Sequence, residues 1–237
     1  MRLDKFLFQK GITKSRNIAS ELIKSGLVKV NEKVVKKPSF DIDEDDRLEI
    51  LKSENCVSRA AKKLNGFLTE DEFIKNSVCL DVGASKGGFT QVLLEKGAKK
   101  VYALDVGSSQ LDEELKRDPK VVNLEKTDIR DFKIDKKFDI VTCDVSFISL
   151  EKIILDLDRV SKRDLIILFK PQFEVGKDVK RDKKGVVLDK EAIKEAMDRF
   201  EKRAISLGWK LYKKEESKVR GKEGNVEYFY HFKKEEV

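Results

Sequence analysis

The chain predicts an α/β protein: a doubly wound, mostly parallel sheet ending in an antiparallel hairpin, preceded by a small α+β module. Three observations carry this. Short apolar strands alternate with helices over about 160 residues from position 77 onward. The last two strand-like segments, WKLYKKEES and VEYFYHF, have no helix between them. Residues 1–40 stand apart by charge, with ten Lys/Arg against three acids, so they carry the whole +7 of the 237-residue protein.

The elements follow in order. Leu3, Phe6, Leu7 and Ile12 mark a short helix closed by Gly11. Thr13 or Ser15 can cap a second helix, in which Ala19, Leu22 and Ile23 recur at helical spacing before Gly26. LVKVNEKVV reads as two strands around a tight Asn31-Glu32 turn, and Leu48 and Ile50 alternate in a third. Residues 1–55 form the first domain, and 56–76 a linker plus the first helix of the next, VSRAAKKLNGFL. On pattern alone Lys62 and Lys63 of that helix read as solvated. The domain 77–237 then runs SVCLDVG (strand), FTQVLLEKG (helix), KVYALDVG (strand), QLDEELKRD (helix) and KVVNLEK (strand). FDIVTCDVSFI is a further strand, before a helix holding Leu150, Ile154 and Leu157. DLIILFK is the fifth strand, and an amphipathic helix over 189–207 stops at Gly208.

Composition excludes several classes. No apolar run approaches the ~18–20 residues that cross a bilayer, and the first residues lack a signal-peptide pattern, so a cytoplasmic protein is expected. Three scattered cysteines and one histidine, His231, offer neither a disulfide framework nor zinc spacing; no metal is expected. Cys79 and Cys143 read as small core residues.

The first strand runs into Asp81-Val82-Gly83-Ala84-Ser85-Lys86-Gly87-Gly88. A glycine-rich strand-to-helix turn lets a ligand approach the backbone. Asp105 ends the second strand, where an acid accepts hydrogen bonds from ribose hydroxyls. Asp128 and Asp144 fall at the same sheet edge. The loop lacks both the dinucleotide G-x-G-x-x-G and the P-loop G-x-x-x-x-G-K-[ST] patterns. Its D-x-G-x-x-x-G form suits S-adenosylmethionine, which carries no phosphate and whose amino group Asp81 can favour. The fold expected is thus a Rossmann-like class I S-adenosylmethionine-dependent methyltransferase.

DVGASKGGFT, ALDVGSSQLD, CDVSFISL, LFKPQFE and GNVEYF together resemble the TlyA family, whose members join a ribosomal-protein-S-four-like RNA-binding module to an FtsJ-like ribose methyltransferase. The likeness covers nearly the whole chain, with RLDKFLFQKGITKSRNIASELIKSGLVKVNEK similar to the RNA-binding module. It implies a Lys–Asp–Lys–Glu catalytic tetrad at Lys63 (Lys62 being the alternative), Asp144, Lys170 and Glu227. It implies a methyl-donor site at Asp81, Gly83, Ala84, Ser85, Gly87, Gly88, Asp105, Asp128 and Asp144. Lys86 departs from the smaller residue common in the family. The implied reaction is 2′-O-methylation of cytidine in ribosomal RNA; the chemistry needs no metal, and a monomer acting on ribosomal RNA or subunits is expected. Arg2, Lys5, Lys14 and Arg16 flank the first two helices and are the candidate phosphate contacts. Lys170 can act as base only as a neutral amine, which desolvation or a second cation such as Lys63 favours, while Asp144 and Glu227 oppose it. Phe147 and Phe173, more often core residues, are candidates to stack on an extruded nucleotide. Two rival readings are a non-enzymatic RNA-binding or ribosome-assembly protein, and a hemolysin, a label the family has carried.

Overall fold

The computed structural model describes residues 1–13, 15–43, 45–51, 58–69 and 72–234. The chain divides into two compact units, Met1–Asn55 and Cys56–Val237. Lys14 and Cys56 lie outside the described residues.

In the first unit α1 (Leu3–Gln9) packs on α2 (Arg16–Lys24). The strands β1 (Val28–Val30), β2 (Lys33–Val35) and β3 (Leu48–Ile50) form an antiparallel sheet in the order β2-β1-β3. Ser15, not Thr13, caps α2, where the Ile18 N–H donates to Ser15 Oγ at 3.3 Å. Asn31 and Glu32 both have positive φ, 49° and 67°, which gives the β1–β2 turn the twist a two-residue hairpin needs. Leu3, Leu7, Ala19, Ile23, Val28 and Val30 close the core between the helix pair and the sheet.

The second unit holds β4 (Val78–Val82), β5 (Lys100–Leu104), β6 (Val121–Leu124), β7 (Phe138–Cys143), β8 (Ser161–Phe169), β9 (Lys210–Glu216) and β10 (Tyr228–Lys233). They form one sheet in the order β6-β5-β4-β7-β8-β10-β9. β4 to β8 run parallel, and β10 is antiparallel to both β8 and β9. The helices are α3 (Arg59–Phe67), α4 (Gly88–Glu95), α5 (Glu113–Arg117), α6 (Ile154–Val160), α7 (Pro171–Glu174) and α8 (Lys190–Ser206). One core joins Leu64 and Phe67 of α3, Phe89 of α4 and Phe229 of β10. The other joins Leu157 of α6, Phe200 of α8, Phe169 and the buried Trp209. From β4 the chain winds outward to β5 and β6, then returns to β7 on the other side. The crevice between β4 and β7 is therefore the switch point at which open α/β sheets bind ligands.

Three details differ from the sequence pattern. The helix expected around Leu150 is split: a 3-10 turn over Leu150–Lys152, capped by Ser149, precedes α6, because Ile153 leaves helical geometry at φ −126°. β8 begins at Ser161, before the apolar run that marks it. α7 has no apolar periodicity to announce it; Pro171 starts it, at a position where a missing N–H does no harm.

Glycine decides two close approaches. Gly83 has φ +82°, and a Cβ there would stand 2.8 Å from the Asp144 carbonyl oxygen, so a side chain would force β4 and β7 apart. A Cβ on Gly88 would lie 2.1 Å from Ser58 Oγ and 2.8 Å from the Ala61 nitrogen. That glycine lets α3 lie directly on α4, and α3 carries Lys63.

Candidate active site

Adjacent strands deliver three acidic and basic side chains to one edge. Cys143 of β7 pairs with Ile167 of β8, and Tyr228 of β10 pairs with Phe169 of β8. The next residue on β7 and β8 and the one preceding β10 are Asp144, Lys170 and Glu227. α3 brings the fourth group from above the sheet. On that helix Lys62 is exposed while Lys63 is buried. The solvated reading holds for Lys62 and fails for Lys63.

The four side chains form two ion pairs. Lys63 Nζ donates to Glu227 Oε2 at 2.6 Å, with side chains 9% and 3% exposed. Lys170 Nζ stands 2.6 Å from Asp144 Oδ1 and donates to Ser146 Oγ at 2.9 Å. Burial pushes the Asp144 carboxyl above its ordinary range, against the pull of Lys170 and Lys63 and with a further push from Glu227. Asp144 thus lies in the field of all three of the others. Gln172 Nε2 donates to the other Glu227 oxygen at 3.3 Å.

Two cavities meet here. One, of about 350 Å³, is walled by Gly83, Ser85, Asp105, Asp128, Asp144 and Ile129. The other, of about 610 Å³, is walled by Lys63, Lys170, Gln172 and Glu227, with Arg181, Lys184 and Lys222 also on its lining. Ser146 and Phe147 line both. Phe147 is 92% exposed, has φ +66°, and tilts against the Phe173 ring at 5.3 Å. A core role is thereby excluded for Phe147. An aromatic residue held in left-handed geometry is strained.

The loop residues divide into wall and support. Asp105 Oδ2 accepts from the Ser85 N–H at 2.8 Å and Oδ1 from the Gly107 N–H at 2.7 Å, so backbone donors fix the carboxylate in the cavity wall. Asp128 is held by Arg130, whose Nε and Nη2 donate at 3.0 and 2.6 Å, which lowers its carboxyl below the usual range. Gly83, Ser85, Asp105, Asp128 and Asp144 line the cavity, while Asp81, Ala84, Gly87 and Gly88 lie behind that wall. Ala84 packs with Leu111 and Leu115, and Gly87 lies beneath the same two leucines. Asp81 is fully buried, accepting from Thr90 Oγ1 at 2.7 Å and Thr142 Oγ1 at 2.9 Å. It ties β4 to α4 and β7. Lys86 is exposed.

Burial pushes the Asp81 carboxyl up to about 6, although both threonine hydroxyls favour its charged form. The folded protein therefore keeps a proton that the unfolded chain releases between about pH 4 and 6. By linkage this stabilisation is present at low pH and is lost as pH rises through that window, by about 3 kcal/mol in all. Asp81→Asn cannot ionise, and its amide still reaches both hydroxyls once one of them rotates to accept. The stability difference in favour of the variant is expected to grow between pH 4 and 7. Urea melts followed on Trp209, the single tryptophan, measure it; a difference independent of pH would show that Asp81 ionises normally.

Sequence reading missed three residues. Ser146 and Gln172 sit inside the quoted CDVSF and LFKPQ segments, two residues beyond Asp144 and Lys170, a spacing that was the available signal. Glu125 gave none. Its carboxylate accepts from the Gln110 and Leu111 N–H groups at 2.9 and 3.2 Å, and with the Ser109 N–H these hold it down to about 2. That anchors the loop after Asp105. Cys79 and Cys143 are buried, and burial pushes both thiols up to about 12, so neither is a nucleophile. Among the described residues no three His, Cys, Asp or Glu side chains are grouped as metal ligands.

Comparison with known proteins places the chain. The FtsJ-like methyltransferase family matches residues 56–234, and the S4 domain matches residues 1–48. A Campylobacter jejuni protein named 23S rRNA (cytidine-2′-O)-methyltransferase TlyA is 46% identical, over 98% of this chain and 99% of its own. The Mycobacterium tuberculosis 16S/23S rRNA (cytidine-2′-O)-methyltransferase TlyA is 40% identical, over 96% and 88%. A solved Streptococcus thermophilus structure, described as a hemolysin, matches with a TM-score of 0.72 at 30% identity, over 99% of this chain and 88% of that one. With an S4 domain and an FtsJ-like methyltransferase in that order, and such relatives along nearly its whole length, this protein belongs to the TlyA family.

Proposed function

We propose that this protein transfers a methyl group from S-adenosylmethionine to the 2′-hydroxyl of a cytidine in ribosomal RNA, in the cytoplasm. The observation that carries the reading is the pair of ion pairs, Lys63–Glu227 and Lys170–Asp144, at the junction of two cavities of different character. The smaller cavity fits the donor: Asp105 is placed for ribose hydroxyls, Gly83 opens the backbone, and Ile129 and Val106 offer apolar walls to an adenine beside Asp128. The larger takes the RNA nucleotide, with Arg181, Lys184 and Lys222 for its phosphates and Phe147 for its base.

S-adenosylmethionine, which Gly83, Ser85, Asp105 and Asp128 would hold, would supply an electrophilic methyl carbon to the 2′-oxygen. The chain's own residues align the attack of that oxygen, worth ~7–11 kcal/mol when geometry is held. Lys170 Nζ, fixed by Asp144 and Ser146, takes or holds the 2′-hydroxyl proton. Lys63 and Gln172 hold the Glu227 carboxylate in the cavity wall, where it orients Lys63 toward the nucleotide. Hemolysin is a name carried by some relatives; among the described residues no helix is long and apolar enough to cross a membrane.

Mapping ribose methylation in ribosomal RNA from cells with and without the protein tests the reading, paired with transfer of labelled methyl by the pure protein. A cytidine 2′-O-methyl mark is expected only where the protein is present, and identical maps would reject the function. Arg2, Lys5 and Arg16 are all exposed. Neutralising the three is expected to weaken RNA binding and to reduce the slope of log affinity against log salt by about 2–3. An unchanged slope would remove the first unit from RNA binding.

A further inference from the structure

Asp4 is the one charged side chain buried in the first unit among the described residues. It does not sit alone. Arg2 reaches it as a fork, with Nε donating to Oδ1 and Nη2 to Oδ2, each at 3.0 Å. Arg16 of α2 donates through Nη2 to the same Oδ2 at 3.0 Å. The carboxylate is 7% exposed, whereas each arginine side chain is 51% exposed. The two terminal nitrogens share one oxygen, so they lie within about 6 Å of each other, twice the shared 3.0 Å. The arrangement is two half-exposed guanidinium groups anchored from beneath by one buried acid, with net charge +1. The hydrogen bonds from Arg2 and Arg16 and their charges hold the Asp4 carboxyl down to about 2 although burial pushes it up, and Asp41 adds to the field at Arg2.

We propose that Asp4 is a positioning residue for RNA: it holds Arg2 and Arg16 side by side as one preformed clamp for a backbone phosphate. This rests on the reading that the first unit binds RNA. A free arginine is long and flexible, and ordering it on a ligand costs conformational entropy. A carboxylate that has already fixed two of them removes much of that loss, and the planar fork leaves N–H donors at set angles for a second oxyanion. The neighbouring acid thus aids binding to a polyanion.

That consequence opposes simple charge counting, which makes it testable. Asp4→Asn raises the net charge by one, so charge alone predicts tighter RNA binding. The clamp predicts binding of the full chain to a 23S ribosomal RNA transcript that is roughly three- to tenfold weaker at physiological salt, with S-adenosylmethionine affinity unchanged. Equal or tighter binding by an Asp4→Asn protein whose circular dichroism matches the parent would overturn the proposal. If asparagine unfolds the first unit, Arg2→Lys with Arg16→Lys decides: charge and Asp4 remain, the forks are gone, and a similar weakening is expected, whereas unchanged affinity overturns the clamp. Arg2→Ala with Arg16→Ala separates the two levels. No loss of binding there would overturn the RNA reading itself, while a loss there with none in Asp4→Asn would overturn the clamp alone.

Discussion

Replacing Lys170 with alanine is expected to lower the rate of methyl transfer by about 10³-fold while leaving S-adenosylmethionine affinity within about twofold. The two halves of this expectation come from different walls. Lys170 lines the larger cavity and not the smaller one, so its removal leaves Gly83, Ser85, Asp105 and Asp128 in place. What disappears is the nitrogen held by Asp144 at 2.6 Å and Ser146 at 2.9 Å. Single-turnover transfer to ribosomal RNA gives the rate, and calorimetry with the donor gives the affinity. Lys170→Arg then separates two roles. A guanidinium keeps the positive charge but does not give up its proton, so recovery would assign Lys170 the task of holding a developing oxyanion, and continued loss would assign it the proton. A Lys170→Ala enzyme of normal activity would end the mechanism.

Glu227→Ala is expected to destabilise the second unit by about 3–5 kcal/mol as well as to abolish activity. The loss of a carboxylate is not itself the reason. Lys63 is buried, and the deletion strands its ammonium without the partner that lies at 2.6 Å. For a domain of this size each kcal/mol moves the midpoint by about 2–4 °C, so a fall on the order of 10 °C is expected in the Trp209 fluorescence melt. The double change Lys63→Met with Glu227→Leu removes both charges and fills the space. It is expected to melt above Glu227→Ala and yet to remain inactive. A Glu227→Ala protein that melts with the parent would mean that Lys63 reaches water without hindrance, contrary to its burial.

Much of this molecule is legible in one dimension because the relevant physics is local. Strand–helix alternation follows from residue spacing, the loop from Asp81 to Gly88 from its glycines, and the α2 start from a serine three residues before Ile18. The same locality explains what the string leaves out. Asp81 ends a strand beside a glycine turn, but its burial between Thr90 and Thr142 is not visible there, because Thr142 lies on another strand. α7 is four residues long, too short for any periodicity to show.

The sequence alone determined the order of elements, the basic first unit, the family, and which residue types were available for the chemistry. Only the tertiary structure decided which of them meet. Lys62 and Lys63 are indistinguishable in a string; on α3 they lie about 100° apart, and one turns to water while the other turns to Glu227, 164 positions away. A contact between such distant residues depends on Gly88 letting α3 down onto α4 and on β10 pairing beside β8. Neither condition is written in the residues that make the contact, because burial and strand partners are properties of the whole sheet.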